Sequence, residues 1–149
     1  MMTTMTRLLL STLVIVAALG CRAEPLAPPS ARGLTLGLTL TRTSLQVGQA
    51  DTITLTLTNT SPHTVSLAAG GCPLLFYVKD AGGATVVPAG GDWFCIAILK
   101  RLVLPAGQPE AASFTWNTRS FSTGIYSVYG TFSAEGIHLQ TPTAPVQLN

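Results

Sequence analysis

The chain has 149 residues, with 8 Lys/Arg against 6 Asp/Glu, a formal charge of +2 and only 9% charged residues. That length suits one domain with a real core, and a near-neutral balance without any basic run argues against nucleic acid as a partner. Few charges and abundant Thr make a β composition, because Thr combines a polar outer face with β-branched stiffness.

Residues 1–20 read as a leader. Arg7 is its one basic residue, and the apolar run Leu8–Leu19 follows. That run falls well short of the about 20 residues a spanning helix needs. Small residues at Ala18 and Gly20 suit a signal peptidase, and Cys21 stands immediately after the cut. The ending resembles the lipobox of bacterial lipoproteins. In such proteins the cysteine sulfur takes a diacylglycerol, the leader is cut before it, and the new amine is acylated. Here Ala18 and Leu19 reverse the usual order of large and small residues, and Ala18-x-Gly20 also fits ordinary secretory cleavage. Cys21 is therefore the candidate lipidation site. The expected location is the bacterial cell envelope, lipid-anchored to a membrane and facing out of the cytoplasm, or secreted if Cys21 is not lipidated.

Residues 21–33, with Pro25, Pro28 and Pro29, form a stiff spacer, and residues 34–149 form the domain. Leu34, Leu36, Leu38 and Leu40 alternate with polar or small residues, and Ile53, Leu55 and Leu57 alternate with Thr. This pattern predicts strands with one buried and one wet face. Val47-Gly48-Gln49 predicts a turn, and Asn59-Thr60-Ser61-Pro62 ends the second strand. Thr64–Ala68, Leu74–Lys79 and Ala84–Val87 are further strands, the last two joined by the Asp80–Gly83 turn. Pro88–Asp92 is a loop. Phe94–Leu104 is apolar but irregular, holding one strand or two. After the Pro105-Ala106-Gly107 turn come Ala111–Asn117, Gly124–Ser133 and a Pro-interrupted edge over Ile137–Leu148. No helical period follows the leader. About 7–9 short strands separated by turn residues predict an all-β fold, an antiparallel β-sandwich.

Four segments, in this order and spacing, resemble the BsuPI family of intracellular proteinase inhibitors. They are Leu57-Thr58-Asn59-Thr60-Ser61; Phe76-Tyr77-Val78-Lys79-Asp80 with Gly82-Gly83; Leu102-Val103-Leu104-Pro105-Ala106-Gly107 with Phe114-Thr115-Trp116-Asn117; and Gly124-Ile125-Tyr126-Ser127-Val128. The resemblance covers most of Leu34–Leu148. It implies an immunoglobulin-like sandwich and, more loosely, proteinase inhibition, since one fold hosts many functions. No reactive-site residue carries over. The chain departs from the family in being exported and in the pair Cys72 and Cys95.

With Cys21 assigned to lipid, Cys72 and Cys95 are the cysteines left over, and in an oxidising compartment such a pair is expected to form a disulfide. Closing that loop should stabilise by roughly 3–3.5 kcal/mol on the chain-entropy model. Gly124-x-Tyr126 resembles a tyrosine corner, a structural device. His63 and His138 lack a third ligand at metal spacing, so neither a metal nor a cofactor is expected. There is no CxxC motif, and the carboxylates are scattered, so no catalytic constellation emerges. Lys100-Arg101 reads as a gatekeeper against edge aggregation. In the Gly-rich loop Gly90–Cys95, Trp93 and Phe94 either contact a partner or plug one end of the sandwich. The sequence thus implies a membrane-anchored, non-enzymatic binding module whose partner is a protein. A proteinase inhibitor is the alternative.

Overall fold

In β4 (Ala50–Asn59) the alternation of the sequence becomes two-sidedness. Ile53, Leu55 and Leu57 are fully buried while the intervening Thr side chains reach solvent. The computed structural model describes Pro28 and residues 30–149. The leader, Cys21 and most of the spacer lie outside the described residues. β4 pairs antiparallel with β2 (Leu34–Leu40) on one side and β8 (Pro109–Asn117) on the other, and β1 (Ser30–Ala31) pairs with β2. The first sheet therefore runs β1-β2-β4-β8.

The second sheet runs β3-β11-β9-β5-β6, with β10 also on β9 and β7 also on β5. Its members are β3 (Ser44–Leu45), β5 (Val65–Lys79), β6 (Thr85–Val87), β7 (Lys100–Leu104), β9 (Gly124–Ala134), β10 (Ile137–Gln140) and β11 (Ala144–Leu148). The β3–β11 pair is parallel and the others antiparallel. The described residues contain strands but no helix. The fold is the all-β, immunoglobulin-like sandwich expected from the sequence. The inward faces of the two sheets supply one core, in which Trp116 and Phe132 are the largest fully buried side chains.

Three features differ from the expectation. The strands number eleven among the described residues, because β1 and β3 are too short to leave a period and Pro142 divides the last edge into β10 and β11. Pairing starts at Ser30, inside the stretch read as spacer. β5 runs unbroken through Gly70-Gly71-Cys72-Pro73, where two strands with a break were expected. Ala69 opposes Ala134 but Leu74 already opposes Phe132, so the intervening residues form a bulge that β9 spans.

Buried polar groups close the ends of the sandwich. Asn59 is fully buried; its Nδ2 donates to His63 O at 2.7 Å and Leu104 O at 2.8 Å, and its Oδ1 accepts from Ser61 N at 3.0 Å. One side chain thus ties the β4–β5 turn to the end of β7. The Tyr126 hydroxyl donates to Ser122 O at 3.0 Å, and its ring packs edge-on against Trp116 and Phe121. That is a tyrosine corner at the entry to β9.

Gly130 of β9 packs directly against Leu55 of the opposite sheet. A Cβ placed there would collide with the Leu55 side chain, with Leu55 Cγ only 3.1 Å away. Leu55 is fully buried and has no room to yield. Gly130→Ala is expected to lower stability by about 1–3 kcal/mol through overpacking, read as a shift of the denaturation midpoint. An unchanged midpoint would show that the core accommodates the methyl group.

Candidate functional site

β5 is long enough to serve two short partners on one side. Val65–Ala69 pairs with β7, and Val78–Lys79 with β6. Between them the edge of β5 has no strand beside it. The connection from β6 to β7, residues 88–99, is laid along that stretch instead. Phe94–Leu99 therefore contributes no strand, and of the apolar stretch Phe94–Leu104 only β7 joins the sheet.

Three contacts fasten this loop to β5. Cys72 and Cys95 form a disulfide, with Cα atoms 5.8 Å apart and a sequence separation of 23. The Trp93 indole N–H donates to Phe76 O at 2.7 Å, capping a carbonyl that no strand reaches. At Gly71 the loop backbone comes so close that a Cβ would lie 2.5 Å from Ile96 O, so only glycine fits. Gly90 and Gly91, at φ of 87° and 89°, turn the chain into this path.

The two aromatics of the loop part company. Trp93 is half-buried and its ring lies 5.3 Å from that of Phe76, which also meets Phe114 at 5.1 Å. Phe94 is 97% exposed. Behind it Ile96 is 61% and Leu99 84% exposed, so a ridge of apolar side chains stands in water. Single exposed apolar residues are ordinary, but several on one braced loop make it the candidate site. The sequence drew attention to Phe94 through its Gly-rich setting. Ile96 and Leu99 escaped notice because an apolar run reads as core.

Two clefts adjoin the loop. One, of about 870 Å³, separates Ile96–Leu99 from the β9–β10 turn around Glu135. The other, of about 620 Å³, opens between the sheets and is lined by Trp93, Leu102, Ala112 and Phe114, with Lys100 and Glu110 at its mouth. On the outer face of the second sheet Tyr77 and Tyr129 stack at 5.2 Å. Burial first, then Tyr129 and the loop carboxylate Asp92, raise the Tyr77 hydroxyl above its ordinary value.

One polar pair has the makings of chemistry. Ser133 Oγ and His138 Nδ1 lie 2.8 Å apart across the β9–β10 hairpin. A serine nucleophile needs an imidazole oriented by a third group and donors for the developing oxyanion. Glu135, the nearest carboxylate in sequence, instead accepts from Ala68 N at 2.9 Å. Among the described residues no group of three His, Cys, Asp or Glu side chains is placed to hold a metal ion. His63 sits in the β4–β5 turn, apart from His138.

No protein-family model matches the chain, and no curated protein is similar to it. Among solved structures, the sporulation control protein Spo0M from Bacillus subtilis is similar with a TM-score of 0.53 at 8% identity, over 78% of this chain and 49% of that one. A β-glucosidase from Listeria innocua aligns with a TM-score of 0.49 at 16% identity, over 89% of this chain and 19% of the enzyme. The alkylpurine DNA glycosylase AlkC from Pseudomonas fluorescens aligns at 0.47 and 17%, over 78% of this chain and 30% of that one. This chain thus corresponds to less than half the length of each. The likeness to Spo0M shows the fold alone.

Opposite outcomes are expected for the two neighbouring aromatics. Trp93→Ala removes a packed ring and leaves Phe76 O unpaired, and should cost about 2–4 kcal/mol. Phe94→Ala touches nothing and should fall within about 0.5 kcal/mol of wild type. Thermal denaturation of both checks this, and equal losses would mean that Phe94 packs in solution.

Proposed function

We propose that this chain is a membrane-anchored, non-enzymatic binding module of the bacterial envelope, and that it captures a protein through the ridge Phe94–Leu99. The observation that carries the reading is the combination of exposure and bracing. Phe94 and Leu99 are almost fully exposed, yet their loop is held by a disulfide and an indole hydrogen bond. A loop ordered before binding loses little conformational freedom on contact, so its apolar area converts efficiently into affinity. The Ser133–His138 pair, without an orienting carboxylate, gives no comparable support to an enzyme. With Phe94→Ser and Leu99→Ser combined, the full-length protein should keep its melting temperature and lose capture of its partner from a bacterial envelope extract. Capture equal to wild type would place the contact elsewhere.

The second reading is a proteinase inhibitor, in line with the resemblance to the BsuPI family. One observation favours it: a fully projecting Phe94 next to a bridging cysteine is the shape that enters a proteinase cleft without unfolding. Titration against serine and metallo-proteinases separates the two readings. Stoichiometric inhibition lost in Phe94→Ser supports the inhibitor; no inhibition across the panel rejects it.

Anchoring rests on Cys21. Cys21→Ala should abolish incorporation of labelled palmitate and shift the protein out of the detergent phase, because several acyl chains hold far better than none. Equal labelling of both forms would remove the anchor from this reading.

A further inference from the structure

The first sheet ends at β8, and no strand among the described residues pairs with its outer side. One bond fixes the phase of that edge. Thr118 N–H donates to Gln49 O at 3.1 Å, in register with the β4–β8 ladder. Antiparallel ladders alternate. Even-numbered residues of β8 therefore turn their backbone groups to β4, while Ala111, Ser113 and Thr115 turn N–H and C=O outward. The bond from Asn59 N to Gln108 O agrees with this phase.

Past Pro109 and Glu110, which open β8, the edge is unguarded among the described residues. Sheet edges are normally blunted by charge, proline, bulges or a covering loop. From Ala111 to Asn117 there is no charge and no proline, and the β4–β8 register is continuous. The contrast lies within the same molecule, where the bare stretch of β5 is covered by a loop, a disulfide and an indole bond. β8 also borders the cleft of about 620 Å³, into which Ala112 and Phe114 point from the first sheet and Trp93 and Leu102 from the opposite side. Lys100 and Arg101 of β7 and Glu110 of β8 also line this cleft.

We infer that β8 is a docking edge for an extended segment of a partner protein, which adds to the first sheet as a further strand and lowers alternate apolar side chains into the cleft between the sheets. The backbone row selects the occupant. A lipid chain or an aromatic small molecule would fill the cleft and leave Ala111, Ser113 and Thr115 without partners, whereas a polypeptide in β conformation satisfies both. The inference rests on the reading of the molecule as a protein binder and adds a contact at β8 to the one at the ridge.

The test uses the full-length protein and a labelled synthetic peptide with the sequence Asp51–Asn59, which alternates Thr with Ile and Leu and already suits the other side of β8. Fluorescence anisotropy should show saturable binding. N-methylation of alternate peptide nitrogens in one parity should weaken it about tenfold or more, and in the other parity leave it unchanged, since only one set faces the edge. Ser113→Pro removes an outward N–H without touching the β4 ladder and should weaken binding to a similar degree. Ala112→Arg, which fills the cleft and keeps the backbone, guards against a folding defect in the proline variant. Equal binding of both methylated peptides, or none of the unmodified one, overturns the inference. Concentration-dependent self-association abolished by Ser113→Pro, without peptide binding, assigns the edge to a second copy and also overturns it. If peptide binding is absent while Phe94→Ser and Leu99→Ser still abolish envelope capture, strand addition fails and the protein-binding reading stands.

Discussion

A single strand sets the terms for the candidate site. β5 is 15 residues long, and its partners on one side, β6 and β7, cover only its two ends. Backbone groups in the middle still require satisfaction, since a buried unpaired carbonyl costs about 1–3 kcal/mol. The chain meets that requirement with a loop and not a strand. A loop follows a strand edge less regularly than a strand does, and its side chains need not alternate between core and solvent. Trp93 can therefore turn inward while Phe94, Ile96 and Leu99 face water. The apolar ridge is a by-product of how the edge of β5 is closed, and the disulfide makes that closure permanent in an oxidising compartment.

The sandwich is asymmetric as a result. On the β5 side the edge is sealed by covalent and polar contacts. On the β8 side, across the inter-sheet cleft, no strand among the described residues covers it. Phe76 couples the two, because its carbonyl receives the Trp93 indole and its ring touches both Trp93 and Phe114. A partner engaging the ridge and a strand engaging β8 would press on neighbouring parts of one aromatic cluster.

Much of this was legible in the sequence, and the failures have physical causes. The Leu34–Leu40 and Thr52–Thr58 alternations gave strands with correct faces because β2 and β4 each have one wet side. The tyrosine corner followed from Gly124-x-Tyr126, and the disulfide from cysteine parity. Gly70-Gly71-Cys72-Pro73 read as a break, since local propensity sees glycine and proline but not the neighbouring β9 that carries the chain through the bulge. Phe94–Leu104 read as an irregular apolar stretch holding one strand or two, and it holds one, β7; apolar content does not report which way the rest of it faces. Asp51 shows the same limit. The alternation places it inward, in register with Trp116, and it is only 3% exposed, with neither carboxylate oxygen hydrogen-bonded among the described residues. Nothing in the local pattern marks a carboxylate as buried.

The parallel contact between β3 and β11 has a mechanical consequence. Gln147 N donates to Thr43 O and Asn149 N to Leu45 O, both at 2.9 Å, and Val47 N returns a bond to Asn149 O at 3.0 Å. When two strands run the same way, tension that draws the start of one and the end of the other apart acts along their common axis. All three bonds then bear the load together, whereas a hairpin would open one bond at a time. Tension applied between Thr43 and Asn149 thus loads the small β3–β11 contact in shear.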